Sequence, residues 1–217
     1  MLIIFDLDDT LIDTSGAITP YKLRKCLEGF VAAGLQLGDF ETHLQQLIQI
    51  NEEASGSKEA LREFLLRQGG SSTLLSAALQ EMTRPLPAGF VVPTTPHAKE
   101  ILKICSQKHR VALVTGGHPP FQMEKLEKAG IDRSFFSKIA IPEDSIKKPF
   151  YEALLREFSI RPQEVVVCGD RIAMDLAPAH ALGCQTVHMR WGRGKKLATE
   201  QWVTHSIVEL SELTRII

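Results

Sequence analysis

The amino-terminal stretch constrains the fold of this chain more than any other. Residues 2–5 are a short apolar run, Leu-Ile-Ile-Phe, which is typical of a strand buried on both faces of a parallel sheet. The run leads directly into three carboxylates within four positions, Asp6, Asp8 and Asp9. Open α/β sheets bind their ligands at the carboxyl ends of the strands. The stretch therefore predicts a central strand with an acidic cluster at its end.

The crowding of these carboxylates has two explanations. Neighbouring carboxylates resist ionisation unless a cation lies among them, and a hard divalent ion such as Mg²⁺ prefers oxygen ligands of this kind. The alternative is a strand followed by a solvated acidic turn. The choice between a cation site and a solvated turn depends on whether other parts of the chain bring further polar groups to this strand end.

The bulk composition limits the classes of protein to consider. The chain has 217 residues, of which 44% are hydrophobic, and a formal net charge of −1. It is long enough for one large domain or for a core with a smaller insertion, and its charge predicts neither nucleic acid nor a membrane as partner. No apolar stretch approaches the ~20 residues of a membrane span. The four cysteines are far apart and form no CxxC pair, as expected of reduced thiols in a cytoplasmic protein.

Helical periodicity dominates the region after the first strand. Between residues 15 and 85 the sequence contains four amphipathic segments and almost no strand pattern. One of them begins at Thr19-Pro20, where a capping hydroxyl precedes a proline at the first helical position. We therefore predict a small helical bundle inserted over 15–85 and a core made of 1–14 and 86–217.

The remainder of the chain alternates between helix and strand. Four further strands are predicted from apolar runs, at 110–114, 138–141, 164–168 and 184–189. Helices are predicted at 96–107, 121–129, 149–158, 173–182 and 207–216. Strands and helices that alternate with short links form a parallel sheet covered on both faces. The predicted fold class is α/β, with a Rossmann-like parallel core and an all-helical insertion.

Four predicted strands end in polar or glycine residues that a sheet would bring together. They are Asp6 and Asp8 after the first strand, Thr115-Gly116-Gly117 after the second, Lys147-Lys148 after the third, and Asp170 with Asp175 after the fourth. In a parallel sheet these ends lie on one edge. Carboxylates, a hydroxyl and an ammonium group would therefore meet at one place, which a solvated acidic turn does not explain.

In this order the residues resemble the motifs of the haloacid dehalogenase (HAD) superfamily. The pattern DxDxT stands as Asp6-Leu7-Asp8-Asp9-Thr10, followed by Thr115, by Lys148 or its neighbour Lys147, and by Gly169-Asp170 with Asp175. The resemblance runs from residue 1 to about 190. It implies a hydrolase with Mg²⁺ as cofactor and an inserted helical domain that is a C1-type cap.

The resemblance also implies a role for each motif residue in the hydrolysis of a phosphate monoester. Asp6 would be the nucleophile, and Asp8 would protonate the leaving oxygen and then deprotonate the attacking water. Thr115, Gly116 and Gly117 would bind phosphate oxygens, and Lys148 would balance charge. The implied metal ligands are Asp6, the backbone carbonyl of Asp8, Asp170 and Asp175, the last through a water or as a group that orients Lys148.

Several of these residues have simpler explanations. Lys147 and Lys148 would by default be solvated loop residues, and only the neighbouring Pro149 favours Lys148, as in the family. Asp175 near a helix start would interact favourably with the helix dipole. The sequence leaves open whether Arg171 and His118 contact substrate or only solvent.

The sequence thus predicts a Mg²⁺-dependent phosphatase for small phosphorylated metabolites, since a lid excludes water and limits substrate size. A phosphomutase of the β-phosphoglucomutase type keeps every motif and is the alternative. A non-catalytic phosphometabolite-binding protein would need neither Asp6 nor Asp8, and both are present. A haloacid dehalogenase needs no metal and no acid like Asp8, so Asp8 together with Asp170 disfavours it.

Overall fold

Six strands form one parallel sheet in the computed structural model, which describes residues 1–217. They are β1 (Leu2–Phe5), β2 (Arg110–Val114), β3 (Lys138–Ala140), β4 (Val165–Gly169), β5 (Gln185–Met189) and β6 (His205–Ile207). Their order across the sheet is β3-β2-β1-β4-β5-β6, and every neighbouring pair is parallel. The first strand of the chain is therefore central, as its continuous apolar sequence predicts.

Eight α-helices accompany the sheet. The first four follow β1 in succession, namely α1 (Thr19–Ala32), α2 (Phe40–Glu53), α3 (Ser57–Arg67) and α4 (Ser72–Thr83). The other four alternate with the strands, namely α5 (Ala98–Lys108), α6 (Pro119–Lys128), α7 (Lys148–Glu157) and α8 (Ala177–His180). The predicted α/β class with an all-helical insertion is confirmed.

The register of β1 with its two neighbours brings three strand ends to one level. Phe5, the last residue of β1, is opposite Leu113 of β2 and Cys168 of β4. Asp6 directly follows Phe5, and the two partners lie shortly before Thr115 and Asp170. The strand order reverses between β1 and β4, which is where open α/β sheets bind their ligands.

The sheet is held by alternate apolar side chains of its strands. Leu2 and Ile4 of β1 and Val167 of β4 belong to one buried cluster, together with Tyr151 and Leu154 of α7. Burial of each such side chain contributes roughly 1.5–3 kcal/mol relative to its exposure. The central strands are therefore a rigid support for the residues that follow their carboxyl ends.

The chain divides into two compact units, Met1–Ser15 with Leu86–Ile217, and Gly16–Pro85. The predicted division, 1–14 with 86–217 and 15–85, differs from these bounds by the single residue Ser15. The unit Gly16–Pro85 contains α1 to α4 and has its own apolar core, which includes Leu23, Leu47 and Phe64. Its identification as a cap stays a prediction.

The carboxyl-terminal region differs from the prediction in two elements. The sequence predicts no strand at β6, because His205 and Ser206 are polar and exposed at the sheet edge and no apolar run marks them. The helix predicted over 207–216 is a shorter 3₁₀ segment, Leu210–Arg215, which a capping box between Glu209 and Glu212 begins. None of the helices combines the length and the apolar character that a membrane crossing requires.

Candidate active site

Asp6 is buried at the carboxyl end of β1, and the neighbouring strand fixes its backbone. The Asp6 N–H donates to the carbonyl oxygen of Cys168 at 2.9 Å, which extends the ladder by one residue. The residue is 7% exposed. Burial raises the pKa of Asp6 to about 7 in spite of the opposing charge of Lys147. The Asp6 carboxyl group can therefore be ionised near neutral pH only because a positively charged group lies beside it.

Lys147 is that group. Its ammonium Nζ lies 2.6 Å from Asp6 Oδ1 and 2.5 Å from Asp175 Oδ1. Burial disfavours the charged form of this lysine, but the two carboxylates outweigh burial and raise the pKa of Lys147 above its usual range. Lys147 therefore stays protonated and links the end of β1 to the segment after β4.

The structure corrects the choice of Lys148 as the active-site lysine. Lys148 is the first residue of α7 and is exposed, whereas Lys147 is 4% exposed. Consecutive positions at a helix start point about 100° apart, so only one of two adjacent lysines can face the sheet edge. Lys147 faces Asp6, and Lys148 faces solvent.

Asp175 has a donor for each of its carboxylate oxygens. Oδ1 accepts from Lys147, and Oδ2 accepts from the backbone N–H of Arg171 at 2.9 Å. Gly169 lies so close that a Cβ there would be 2.5 Å from Asp175 Oδ2. These contacts favour the alternative in which Asp175 orients the active-site lysine, and they exceed what a helix-dipole interaction requires.

Three buried carboxylates are arranged so that they can hold a cation. One oxygen from each of Asp6, Asp170 and Asp175 lies within 4.8 Å of the others. Burial raises the pKa of Asp170 well above its ordinary range, and the charges of Asp175 and Asp6 raise it further. An all-oxygen set with excess negative charge suits a hard divalent cation such as Mg²⁺. The residues therefore fit the predicted metal.

The loop after β2 is held by hydrogen bonds to the last residue of β3 and to the chain that follows it. The N–H groups of Thr115 and Gly117 donate to the carbonyls of Ala140 and Pro142, at 3.1 and 3.0 Å. The φ of Gly117 is +126°, a conformation that favours glycine. The prediction that the Gly117 amide binds phosphate is corrected, because that N–H is used within the loop. Thr115 and Gly116 remain the candidates for phosphate binding.

The Asp8 carboxylate is not one of the three that form the cluster, and it is bound by residues that the sequence analysis missed. Lys125 Nζ lies 2.8 Å from Asp8 Oδ1, and Gln122 Nε2 lies 2.8 Å from Asp8 Oδ2. The Thr14 hydroxyl also donates to Oδ1. Burial would raise the pKa of Asp8, but Lys125 and these hydrogen bonds lower it. The predicted ligand atom of Asp8 is its backbone carbonyl oxygen, which these side-chain contacts do not involve.

The third carboxylate of the amino-terminal stretch, Asp9, has a local role. Its Oδ1 accepts from the Ser15 N–H at 2.8 Å and its Oδ2 from the Ser15 hydroxyl at 2.5 Å. Its φ of +55° is one that Asp tolerates better than most residues. Asp9 therefore fixes the turn after β1 and does not belong to the candidate metal ligands.

The fold and the site together define an α/β enzyme whose acidic centre lies at the switch point of a parallel sheet. Residues 1–183 match the family of haloacid dehalogenase-like hydrolases, and the chain belongs to this family. The predicted superfamily is thus confirmed. The C1 type of the inserted unit stays a prediction.

Similar proteins are found both in sequence and in structure. A glyceraldehyde 3-phosphate phosphatase of Pyrococcus furiosus is 26% identical over 232 residues, which cover 100% of this chain and 92% of that protein. The hydrolase YfnB of Bacillus subtilis, solved bound to magnesium, superposes with a TM-score of 0.71 at 18% identity, over 99% of this chain and 97% of that one. A predicted phosphoglycolate phosphatase of Haemophilus somnus reaches a TM-score of 0.75 at 19% identity, over 99% and 96%. The phosphatase names among these relatives support the predicted class of phosphoric monoester hydrolase.

Proposed function

We propose that this protein is a Mg²⁺-dependent phosphatase that hydrolyses small phosphate monoesters through an aspartyl-phosphate on Asp6. The observation that carries the proposal is the placement of the Asp6 carboxylate, buried and 2.6 Å from the Lys147 ammonium, at the switch point of the sheet. Ionised groups buried in this way cost stability. A role in chemistry therefore accounts for the pair better than a role in folding.

The substrate phosphate carries roughly two negative charges near neutral pH, so bare carboxylates would repel it. Asp6, Asp170 and the Asp8 carbonyl would hold Mg²⁺, which when bound neutralises charge and polarises the phosphoryl group. The Thr115 hydroxyl and the Gly116 amide would bind phosphoryl oxygens. Lys147 offsets the charge shared by Asp6 and the phosphoryl group.

The reaction divides into two displacements at phosphorus. In the free protein the contacts of Asp8 lower its pKa, and the negative charge of the bound phosphate would raise it again, so that Asp8 enters the first displacement protonated. In that displacement an Asp6 oxygen bonds to phosphorus, the bond to the ester oxygen breaks, and that oxygen takes a proton from the Asp8 carboxyl group to leave as an alcohol. In the second, the Asp8 carboxylate takes a proton from water as the water oxygen bonds to phosphorus. The bond to Asp6 breaks, which releases inorganic phosphate and restores both aspartates.

The relatives suggest where a substrate search begins. The similarity to the Pyrococcus furiosus enzyme spans the whole of this chain, so glyceraldehyde 3-phosphate is the first substrate to test. At 26% identity the preference for one sugar phosphate need not be shared. Phosphoglycolate and other small phosphate esters therefore belong in the same panel.

The test is the release of inorganic phosphate from this panel and from p-nitrophenyl phosphate, with Mg²⁺ or with EDTA. We expect turnover that needs Mg²⁺ and falls by more than about 10³-fold in Asp6→Asn. Glu127→Gln is the control, because Glu127 is an exposed carboxylate on α6. Transfer of phosphate within a sugar phosphate, without release of inorganic phosphate, would instead establish the phosphomutase alternative. Activity that survives in Asp6→Asn would contradict the aspartyl-phosphate.

A further inference from the structure

Two polar side chains of α6 reach Asp8 from the same helix face. Gln122 and Lys125 are three positions apart, which places them one above the other on a helix. Both are buried, at 2% and 6% exposure. Lys125 Nζ lies 2.8 Å from Asp8 Oδ1 and 3.0 Å from Oδ2, and so holds both oxygens of that carboxylate.

Gln122 connects Asp8 to the loop after β2. Its amide nitrogen Nε2 lies 2.8 Å from Asp8 Oδ2, 2.8 Å from Thr115 Oγ1 and 2.7 Å from the Gly116 carbonyl oxygen. The other amide atom, Oε1, is buried without a hydrogen-bond partner, which costs roughly 1–3 kcal/mol. A flipped amide would place Oε1 against the Asp8 carboxylate, so the observed orientation is the one that the site imposes.

A purely structural role does not account for Lys125. A lysine on a helix surface ordinarily extends its ammonium group into water. Burial of an ammonium group costs folding free energy unless a negative group pairs with it. Lys128, three positions further along α6, does not reach Asp8, because its Nζ donates to the backbone carbonyls of Pro87 and Ala88. Lys125 instead lies over the ring of Phe121, with Nζ 4.8 Å from the ring centre, and points at Asp8.

We propose that Gln122 and Lys125 are positioning residues that aim the Asp8 carboxyl group at the leaving oxygen of the substrate. This inference rests on the proposed function, because Asp8 is the group that delivers the proton. Lys125 fixes the plane of the carboxyl group, and Gln122 fixes its distance from Thr115, where the phosphoryl group would lie. A reacting group displaced by about 1 Å loses roughly 10²-fold in rate, so these contacts act on catalysis through Asp8.

The loss of activity in variants of Gln122 and Lys125 should depend on the leaving group of the substrate. An alkoxide leaves phosphorus only as it gains a proton, whereas p-nitrophenolate is a stable anion that leaves without one. Loss of positioning at Asp8 therefore slows the cleavage of an alkyl phosphate far more than that of p-nitrophenyl phosphate. The two esters are compared by kcat/KM. This parameter reports only the steps up to the first irreversible cleavage, so it excludes the later hydrolysis of the aspartyl-phosphate, which is common to both esters.

The experiment compares the wild-type enzyme with Lys125→Met, Gln122→Leu and Lys125→Arg on glyceraldehyde 3-phosphate and p-nitrophenyl phosphate. For Lys125→Met and Gln122→Leu we expect kcat/KM to fall about 10²-fold with the alkyl ester and less than about fivefold with the aryl ester. Lys125→Arg, which keeps the charge, should recover most of the loss. Lys128→Met is the matched control and should leave both values unchanged.

Equal losses with the two esters, or no loss with either, would overturn the inference. A second measurement guards against a variant that folds poorly. In an Asp8→Asn background, Lys125→Met should cause no further loss with the alkyl ester, because the group that it positions is already absent. A further loss of about 10²-fold there would show that Lys125 acts independently of Asp8. A wild-type protein that cleaves neither ester would refute the proposed function, and this inference with it.

Discussion

At the scale of single residues, burial disfavours the ionised form of Asp6, which is the form that the proposed reaction requires. Burial raises its pKa from the ordinary 3.8 to about 7, although Lys147 acts in the opposite direction. Without a metal, the folded protein therefore holds this proton more tightly than the unfolded chain does. The stability contributed by the proton is complete below the unfolded-state pKa and is lost as the pH rises through about 7.

This titration predicts a pH-dependent stability. We expect the melting temperature of the wild-type protein in EDTA to fall as the pH rises from about 6 to about 8. The fall should be smaller in Asp6→Asn, because an amide neither gains nor loses a proton in this range. Thermal unfolding of both proteins at several pH values measures the difference. Parallel curves for the two proteins would mean that Asp6 does not titrate here.

The two adjacent lysines offer a matched pair of substitutions. Lys147→Met removes the ammonium group between Asp6 and Asp175, and we expect kcat to fall by about 10²–10³-fold. Lys148→Met alters an exposed side chain and should change kcat by no more than about twofold. Phosphate release by both variants under saturating substrate and Mg²⁺ provides the measurement. The opposite ranking would restore Lys148 as the active-site lysine.

These residues also mark what could be predicted from the sequence. Asp6 and Asp170 were predictable because each directly follows an apolar strand. The choice between the two lysines depended on whether α7 begins at one residue or the next, and that boundary has no sequence signal. Gln122 and Lys125 were missed because polar residues on an amphipathic helix ordinarily belong to its solvated face.

At the scale of elements, the strand ends are the decisive structures. The convergence of four loops at one edge followed from the parallel sheet alone, so the order of strands and helices sufficed to predict it. The edge strand β6 was missed because its register depends on backbone bonds to β5 and not on an apolar pattern. The close packing of β4 against Asp175 was equally invisible, since a glycine before an aspartate does not reveal which side chain will lie against it.

That close packing predicts the effect of a methyl group at Gly169. In Gly169→Ala the new Cβ would lie 2.5 Å from Asp175 Oδ2, so the carboxylate must move and Lys147 loses its orientation. We expect kcat to fall by at least about tenfold, and the free energy of unfolding by about 1–3 kcal/mol. Gly89→Ala is the control, because a Cβ there meets no atom within 4 Å. Enzyme assays and urea unfolding of both variants test the expectation, and a fully active Gly169→Ala would contradict it.

At the scale of the whole molecule, the chain consists of two units with separate apolar cores. This organisation was predictable because helical periodicity fills the interval between the first two strands without interruption by a strand. The aspartates and the lysine of the candidate site all belong to the unit Met1–Ser15 with Leu86–Ile217. Binding of a metal at this site would therefore stabilise that unit directly.

The size of this stabilisation follows from mass action. A ligand that binds only the folded state contributes about 2.7 kcal/mol when its free concentration is about 100 times its Kd. For a chain of this length that gain corresponds to a rise in melting temperature of about 5–10 °C. The proton on Asp6 competes with the metal, so the rise should be larger at about pH 8 than at about pH 6.

The variant Asp170→Asn separates the effect of the metal on the melting temperature from the effect of the buried carboxylates. The substitution removes a ligand, so we expect little or no rise in melting temperature on addition of Mg²⁺. It also removes a carboxyl group whose pKa burial raises well above its ordinary range. In EDTA at about pH 8 the variant should therefore melt at or above the temperature of the wild-type protein, as expected where function costs stability. Thermal unfolding of both proteins with Mg²⁺ and with EDTA decides the matter, and an equal Mg²⁺-induced rise in Asp170→Asn would place the metal elsewhere.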